Sequence, residues 1–466
     1  MEQKLERKYG LFTAICMVVG IVIGSGVFFK AQTILQKTGG DTSTGIIAWI
    51  IGGAIMLSCL LAFAFMGQKY ERVNGIVDYA EATVGPRYAY YMGWFSATIY
   101  FPGMTSALAW LSARYTLVFI TSVNPSFPMT VPVEQGGCVI GPECMALTAL
   151  FMCGAYVLNA LSPKLAGKFQ TSTTVIKLIP LLLMAVVGTI YGLKHGMLQT
   201  NLTTTVVPVA DMTTNPLFAA VCATAFAYEG WIIATSINSE IKDSKKNLPK
   251  ALILGGLIII AVYILYFIGV AGGASAKDLM DTGANVAFSN VFGPVLGNIL
   301  NLFVAISCMG TLNGLMLGCC RCMYSLGARN RGVKPEMFAQ VDKTTNMPNN
   351  SAVFALLVTA IWFVYFYLTN LAAIWGPKAP FVFDSTELPI ITIYLMYIPI
   401  FIQWMRKEKD QNALRRFVLP GLALIGSAFM VLACILGHGM ACFWYMIVFA
   451  VMMVIGWLLD SSRKAA

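Results

Sequence analysis

Twelve apolar stretches, each long enough to cross a bilayer as a helix, run through this chain and constrain it more than any other feature. They fall near Leu11–Leu35, Ser43–Gly67, Arg87–Val123, Glu143–Leu161, Phe169–Gly192, Pro216–Ser239, Ala251–Ala274, Pro294–Leu326, Ser351–Asn370, Leu388–Met405, Phe417–Gly437 and Phe443–Leu459. With 58% hydrophobic and 11% charged residues among 466, too little polar surface remains to clothe a soluble core. The spacing predicts an all-α polytopic membrane protein with twelve transmembrane helices, a single unit over residues 1–466 with no separate soluble domain.

Two of these stretches are interrupted. Gly24, Ser25 and Gly26 break the first, and Phe226-Ala227-Tyr228-Glu229-Gly230-Trp231 places an acid and a glycine inside the sixth. Each opens a block of five spans. Paired interruptions at matching places predict an inverted repeat with its ligand site near the bilayer midplane. Spans one to five (residues 11–192) form one half, spans six to ten (216–405) the other, and two C-terminal helices (417–459) stand outside it.

The net charge of +10 suits nucleic acid in a soluble protein, but here its location decides. Most of the Lys and Arg lie in alternate loops and at both ends, which places both termini in the cytoplasm by the positive-inside rule. The basicity is a topology signal and implies no nucleic-acid partner. Met1–Lys8 leads into the first apolar run with no small-residue cleavage pattern, so that run is expected to stay in a cell membrane as a helix. Among the loops, Gln68–Pro86 reads as an amphipathic segment lying at the cytoplasmic interface. Lys277–Pro294 reads as a lid on the outer side.

Of the 12 cysteines, all but Cys138 and Cys144 fall in apolar spans. Those two lie in an outer loop, where an oxidising compartment would allow one bridge. Cys319, Cys320 and Cys322 have no His, Asp or Glu at ligand spacing, so packing is expected there and no metal or cofactor is implied.

The breaks carry the chemistry. Freed N–H groups at the turn Gly24 to Gly26, with the Ser25 hydroxyl, suit a carboxylate; freed carbonyls near Val22 and Ile23 suit an ammonium group. Glu229 is costly at membrane depth, and serves either as a ligand for a cationic group or as a proton carrier. Phe226, Tyr228 and Trp231 are candidates to wall the ligand. Lys177 lies about a third of the way into span five; it either snorkels to the surface or supplies a positive charge to the broken helices. The spans hold no cluster of His, Asp or Glu suited to catalysis, so an enzyme is not expected.

Several stretches together resemble the amino acid–polyamine–organocation superfamily, and most closely the bacterial relatives of its L-amino acid transporter family. They are G-S-G-V-F at Gly24–Phe28, N-A-L-S-P-K at Asn159–Lys164, K-L-I-P-L at Lys177–Leu181, and F-A-Y-E-G-W at Phe226–Trp231. With them stand E-I-K-D-S-K-K-N-L-P-K-A at Glu240–Ala251, G-T-L-N-G at Gly310–Gly314 and R-C-M-Y-S-L-G-A-R at Arg321–Arg329. The resemblance implies a repeat like that of the sodium-coupled leucine transporter and alternating-access movement of amino acids, commonly by exchange. It implies that Gly24, Ser25 and Gly26 bind the substrate carboxylate and Phe226 to Gly230 its ammonium group. Phe226 would close the outer side and Tyr263 the cytoplasmic side, with Lys177 in place of a sodium ion. The family's P-x-x-G-G is here Arg72-Val73-Asn74-Gly75-Ile76, and Glu229 stands where many relatives have another residue. A carrier of cationic amino acids or amines is therefore a second expectation, and a non-transporting amino acid receptor a third. An outer-loop cysteine bridges some eukaryotic relatives to a glycoprotein; no obligatory protein partner is expected here, as in a self-contained protein of a bacterial inner membrane.

Overall fold

The computed structural model describes residues 6–24, 26–70, 74–208, 212, 215–376 and 379–460. Among these, twelve helical stretches are long and apolar enough to cross a membrane: Leu11–Lys37, Thr42–Lys69, Pro86–Val123, Gly137–Leu161, Pro163–Lys194, Pro216–Glu240, Ser244–Gly273, Pro294–Gly327, Asn349–Leu371, Leu388–Lys407, Leu414–Leu436 and Met440–Leu459. They are spans one to twelve below. The protein is a multi-pass membrane protein. Large apolar side chains such as Leu150, Ile361, Ile425 and Leu458 face outward, as a lipid-facing surface requires.

Spans three and eight pack along each other, as do spans two and seven. Spans five, seven and eight surround the first half of span one, while its second half lies against span six. Spans ten and eleven pack together, and eleven leans on span two. Both broken spans are therefore held inside a cage of unbroken ones.

One face collects both ends of the described chain. Lys8 pairs with Glu240 at 2.9 Å, and Asp460 with Arg331 at 2.7 Å. Arg321, fully buried, grips both oxygens of Glu240, and the backbone N–H groups of Lys8 and Tyr9 donate to the Glu240 carbonyl at 2.9 and 3.0 Å. A single bridge between Tyr9 and Ile241 is the β pairing found among the described residues. The start of the chain is thus strapped to the end of span six.

The segment after span two contains a short helix, Gly75–Thr83, packed against the protein through Ile76, Val77, Asp78, Tyr79 and Ala80. Gly75 allows this: a β-carbon there would sit 2.6 Å from Thr235 of span six. Arg72 and Val73 of the departing motif lie outside the described residues. One loop expectation changes: Cys138 and Cys144 are buried free thiols that fall in the helices Gly137–Ile140 and Pro142–Leu161 of span four, which corrects their placement in an outer loop. The segment 276–292 folds as two short helices, Ala276–Thr282 and Ala284–Phe292, and Gln32 and Gln36 of span one donate to Met280 O.

Candidate functional site

In span one the helix Leu11–Val22 stops and a second, Gly26–Lys37, begins. Ile23 leaves helical geometry with ψ of 86°, and the Gly24 N–H turns back to Val22 O at 2.8 Å. Ser25 lies outside the described residues. In span six the helix Pro216–Ala227 stops, Tyr228, Glu229 and Gly230 form the break, and tighter 3-10 winding runs over Trp231–Glu240. Gly230 has φ of 103°, a backbone state that residues with a β-carbon adopt only under strain. A β-carbon on Gly26 would lie 3.1 Å from the Ala227 Cα. The two breaks touch because that side chain is missing.

A helix end inside a protein needs partners for its last carbonyls. Lys177 supplies them in span one: its Nζ donates to Gly20 O at 2.7 Å and Ile23 O at 2.6 Å, and to Ser307 O of span eight at 3.0 Å. The side chain is fully buried, so it does not snorkel. Ser307 Oγ also donates to Ile23 O at 3.2 Å. Tyr263 Oη lies 3.0 Å from Val22 O and 2.9 Å from Ala227 O, sharing its proton between the ends of both interrupted helices. The Val22 and Ile23 carbonyls, expected to face an ammonium group, are engaged by these residues here.

Between the breaks lies a cavity of about 20 Å³, lined by Val22, Gly24, Gly26, Phe226, Glu229 and Gly230 with Ile21, Met104, Leu108, Thr311 and Leu315. It has room for about one water molecule, so an amino acid enters only if the walls part. Glu229 is 4% exposed. Tyr100 Oη donates to its Oε1, and the Tyr394 hydroxyl and the Gly230 N–H stand against the same carboxylate. Tyr100 closes a π-helical turn, Ser96–Tyr100, in span three, a distortion that aims its side chain at span six.

The remaining candidates separate. Phe226 stands between this cavity and a larger one of about 390 Å³ toward the face opposite the termini, and its ring packs 5.9 Å from that of Phe29. The Tyr228 side chain turns away, donating to Trp49 O at 2.9 Å. Ala227 backs against Gly26. Trp231 is buried beside Phe63 and Tyr397, on the terminal side of the break. Met104, Leu108, Leu315 and Tyr100 went unseen in the sequence, where they read as ordinary span residues. Thr311 sits within the quoted G-T-L-N-G motif. No group of three metal-ligating residues occurs among the described residues.

Twelve apolar helices, two of them broken and meeting halfway along their length, define a membrane carrier built on broken helices. The chain belongs to the amino acid permease family, whose sequence profile matches residues 9–459. It is similar to the serine/threonine exchanger SteT of Bacillus subtilis (strain 168), with 28% identity over 449 residues covering 94% of this chain and 93% of the relative. It is also similar to the large neutral amino acids transporter small subunit 2 of Rattus norvegicus, 25% identical over 77% of this chain and 65% of that longer relative. Among solved structures it matches MhsT in complex with L-phenylalanine, with a TM-score of 0.63, 12% identity and coverage of 98% and 99% of the two chains. That likeness shows a shared LeuT-type fold.

Proposed function

We propose that this chain is a secondary amino acid carrier, working by alternating access as an exchanger or a proton-linked permease, and not an enzyme. One observation carries the reading: the Gly24 and Glu229 breaks enclose a cavity too small for a substrate and are joined through Tyr263 and Gly26. A site closed in this way loads only through movement of the half-helices, and a ligand that binds one arrangement better shifts the balance between them. Gly24, Ser25 and Gly26 take the substrate carboxylate, and the Phe226 to Gly230 break takes its ammonium group. Phe226 closes the outer side. Lys177 holds a position between spans one and eight that a coupling cation would otherwise fill. The repeat runs over 11–192 and 216–405, both termini face the cytoplasm, and the carrier works without an obligatory protein partner. The serine/threonine exchange named for the Bacillus relative supports exchange of small polar amino acids.

A second reading has its own support. The Glu229 carboxylate lines the cavity, and a cationic or hydroxylated side chain would pair with it there.

Purified protein in liposomes loaded with one unlabelled amino acid at a time, supplied with labelled amino acids with and without a pH gradient, tests both. Uptake that requires internal amino acid establishes exchange; gradient-driven uptake into empty liposomes establishes proton coupling. No uptake under either condition overturns the carrier reading.

A further inference from the structure

The larger cavity, about 390 Å³, is bounded by span one at Lys30, Thr33 and Lys37, span six at Phe218 to Phe226, the start of span ten, and span eleven. One carboxylate organises its wall. Glu387, just ahead of span ten, accepts from Lys30 Nζ through Oε1 at 2.9 Å and lies 3.3 Å from His438 Nε2 through Oε2. Lys30 is 7% exposed and its Nζ stands 5.3 Å from the centre of the Phe226 ring. Lys30 and Phe226 belong to the two broken spans, whereas Glu387 lies just ahead of span ten and His438 just beyond span eleven. Any motion that swings Phe226 and Lys30 away from span ten must break the Lys30–Glu387 bond.

We infer that a proton on His438 loosens the Lys30–Glu387 pair where that pair holds Phe226 over the site as a latch. The inference rests on the carrier reading above. The sign follows from charge. The groups around His438 are Glu387 and Asp384 ahead of span ten and Lys30 on span one, with Lys37 and the thiols of Cys222 and Cys434 on the same cavity. With a neutral imidazole, Lys30 faces a full negative charge. With an imidazolium on the second oxygen, it faces a nearly neutral pair and repels the new cation. Burial alone would raise the Glu387 carboxyl, but the His438 and Lys30 partners hold it down to about 2, so the carboxylate stays charged and His438 is the group that switches. The hydrogen bond to Glu387 raises His438 above the ordinary histidine value, while Lys30 opposes that rise. Coupling is reciprocal: if docked Lys30 disfavours the proton, the proton disfavours docked Lys30. Acid on the face opposite the termini therefore opens the latch, and the effect fades as the pH rises through the raised His438 value.

The test reads the gate directly. Met104 lines the small cavity behind Phe226, so Met104→Cys, labelled in liposomes by a membrane-impermeant maleimide from the Lys37 face, reports opening through peptide mass spectrometry. External pH is set at about 5.5 and about 8.5, the upper value about two units above the ordinary histidine value to leave room for the rise at His438, with the interior held neutral. Because thiol reactivity itself changes with pH, each rate is divided by that of Met104→Cys carrying His438→Gln at the same pH. The expected ratio is roughly two- to five-fold higher at the acid pH, the range for a partly exposed ion pair. Lys30→Met in the same background labels fast at both pH values; Glu387→Gln gives the same reading if Lys30→Met does not fold. A ratio independent of pH, or unchanged labelling after loss of Lys30 or Glu387, overturns the latch. Labelling needs no transport: pH-dependent labelling without uptake keeps the latch and defeats the carrier reading, and uptake with pH-independent labelling does the reverse.

Discussion

The ammonium of Lys177 lies 2.6 Å from the carbonyl oxygen of Ile23, the residue at which span one ceases to be helical. One side chain thus replaces partners that the helix itself would have supplied. Removing it in Lys177→Ala leaves buried carbonyls of Gly20, Ile23 and Ser307 without that donor, each a charge-assisted bond of about 1.5–3 kcal/mol. The exchange rate is expected to fall roughly tenfold or more, with substrate affinity changed less. Exchange flux and equilibrium binding on the same preparation check this, and normal exchange would refute the coupling role.

Glu229→Gln keeps an acceptor for Tyr100 and removes the charge beside the cavity. Substrates with a donor in the side chain should compete for uptake about 5- to 100-fold less well, while purely apolar amino acids change little. Equal losses across all amino acids would mean that Glu229 does not select the side chain.

Tyr263→Phe deletes the hydroxyl between Val22 O and Ala227 O. The one proton shared by the two carbonyls is worth about 1 kcal/mol, read as a lower midpoint of unfolding in detergent. An unchanged midpoint would show that the two carbonyls find other donors.

At the terminal face, Glu240→Gln leaves buried Arg321 without its carboxylate, at a cost of about 3–5 kcal/mol. Adding Arg321→Met should recover much of the loss, because the uncompensated charge is then gone. A double variant as unstable as the single one would put the weight of this strap on Lys8 and Tyr9.

The span boundaries were legible because hydropathy is local. The expected start of span six at Pro216 is observed, and span seven begins at Ser244, ahead of the expected Ala251. That difference has a cause: Asp243 ends the preceding turn in a left-handed conformation, and helical winding then runs through the polar Lys245, Lys246 and Asn247, which a hydropathy scan passes over. Both breaks were legible too, since closely spaced glycines or an acid weaken an apolar helix at the point where they stand. The Gly75–Thr83 helix falls in a segment legible as amphipathic, but the partner of its two acids was not legible: Asp78 and Glu81 both pair with Arg329, 251 and 248 residues away.

The sequence by itself determined that the chain crosses a membrane, how many helices do so and where two of them break, because chain length, hydropathy and backbone satisfaction act over a few turns. Tertiary structure alone decided what meets at the breaks. Tyr100 reaches Glu229 across 129 residues, Lys177 reaches Ile23 across 154, and Lys30 reaches Glu387 across 357. No local pattern encodes such pairs. The first two form because the breaks leave polar groups in a place without water, the third beside the larger cavity, and in all three packing of the spans determines which distant side chain is in reach.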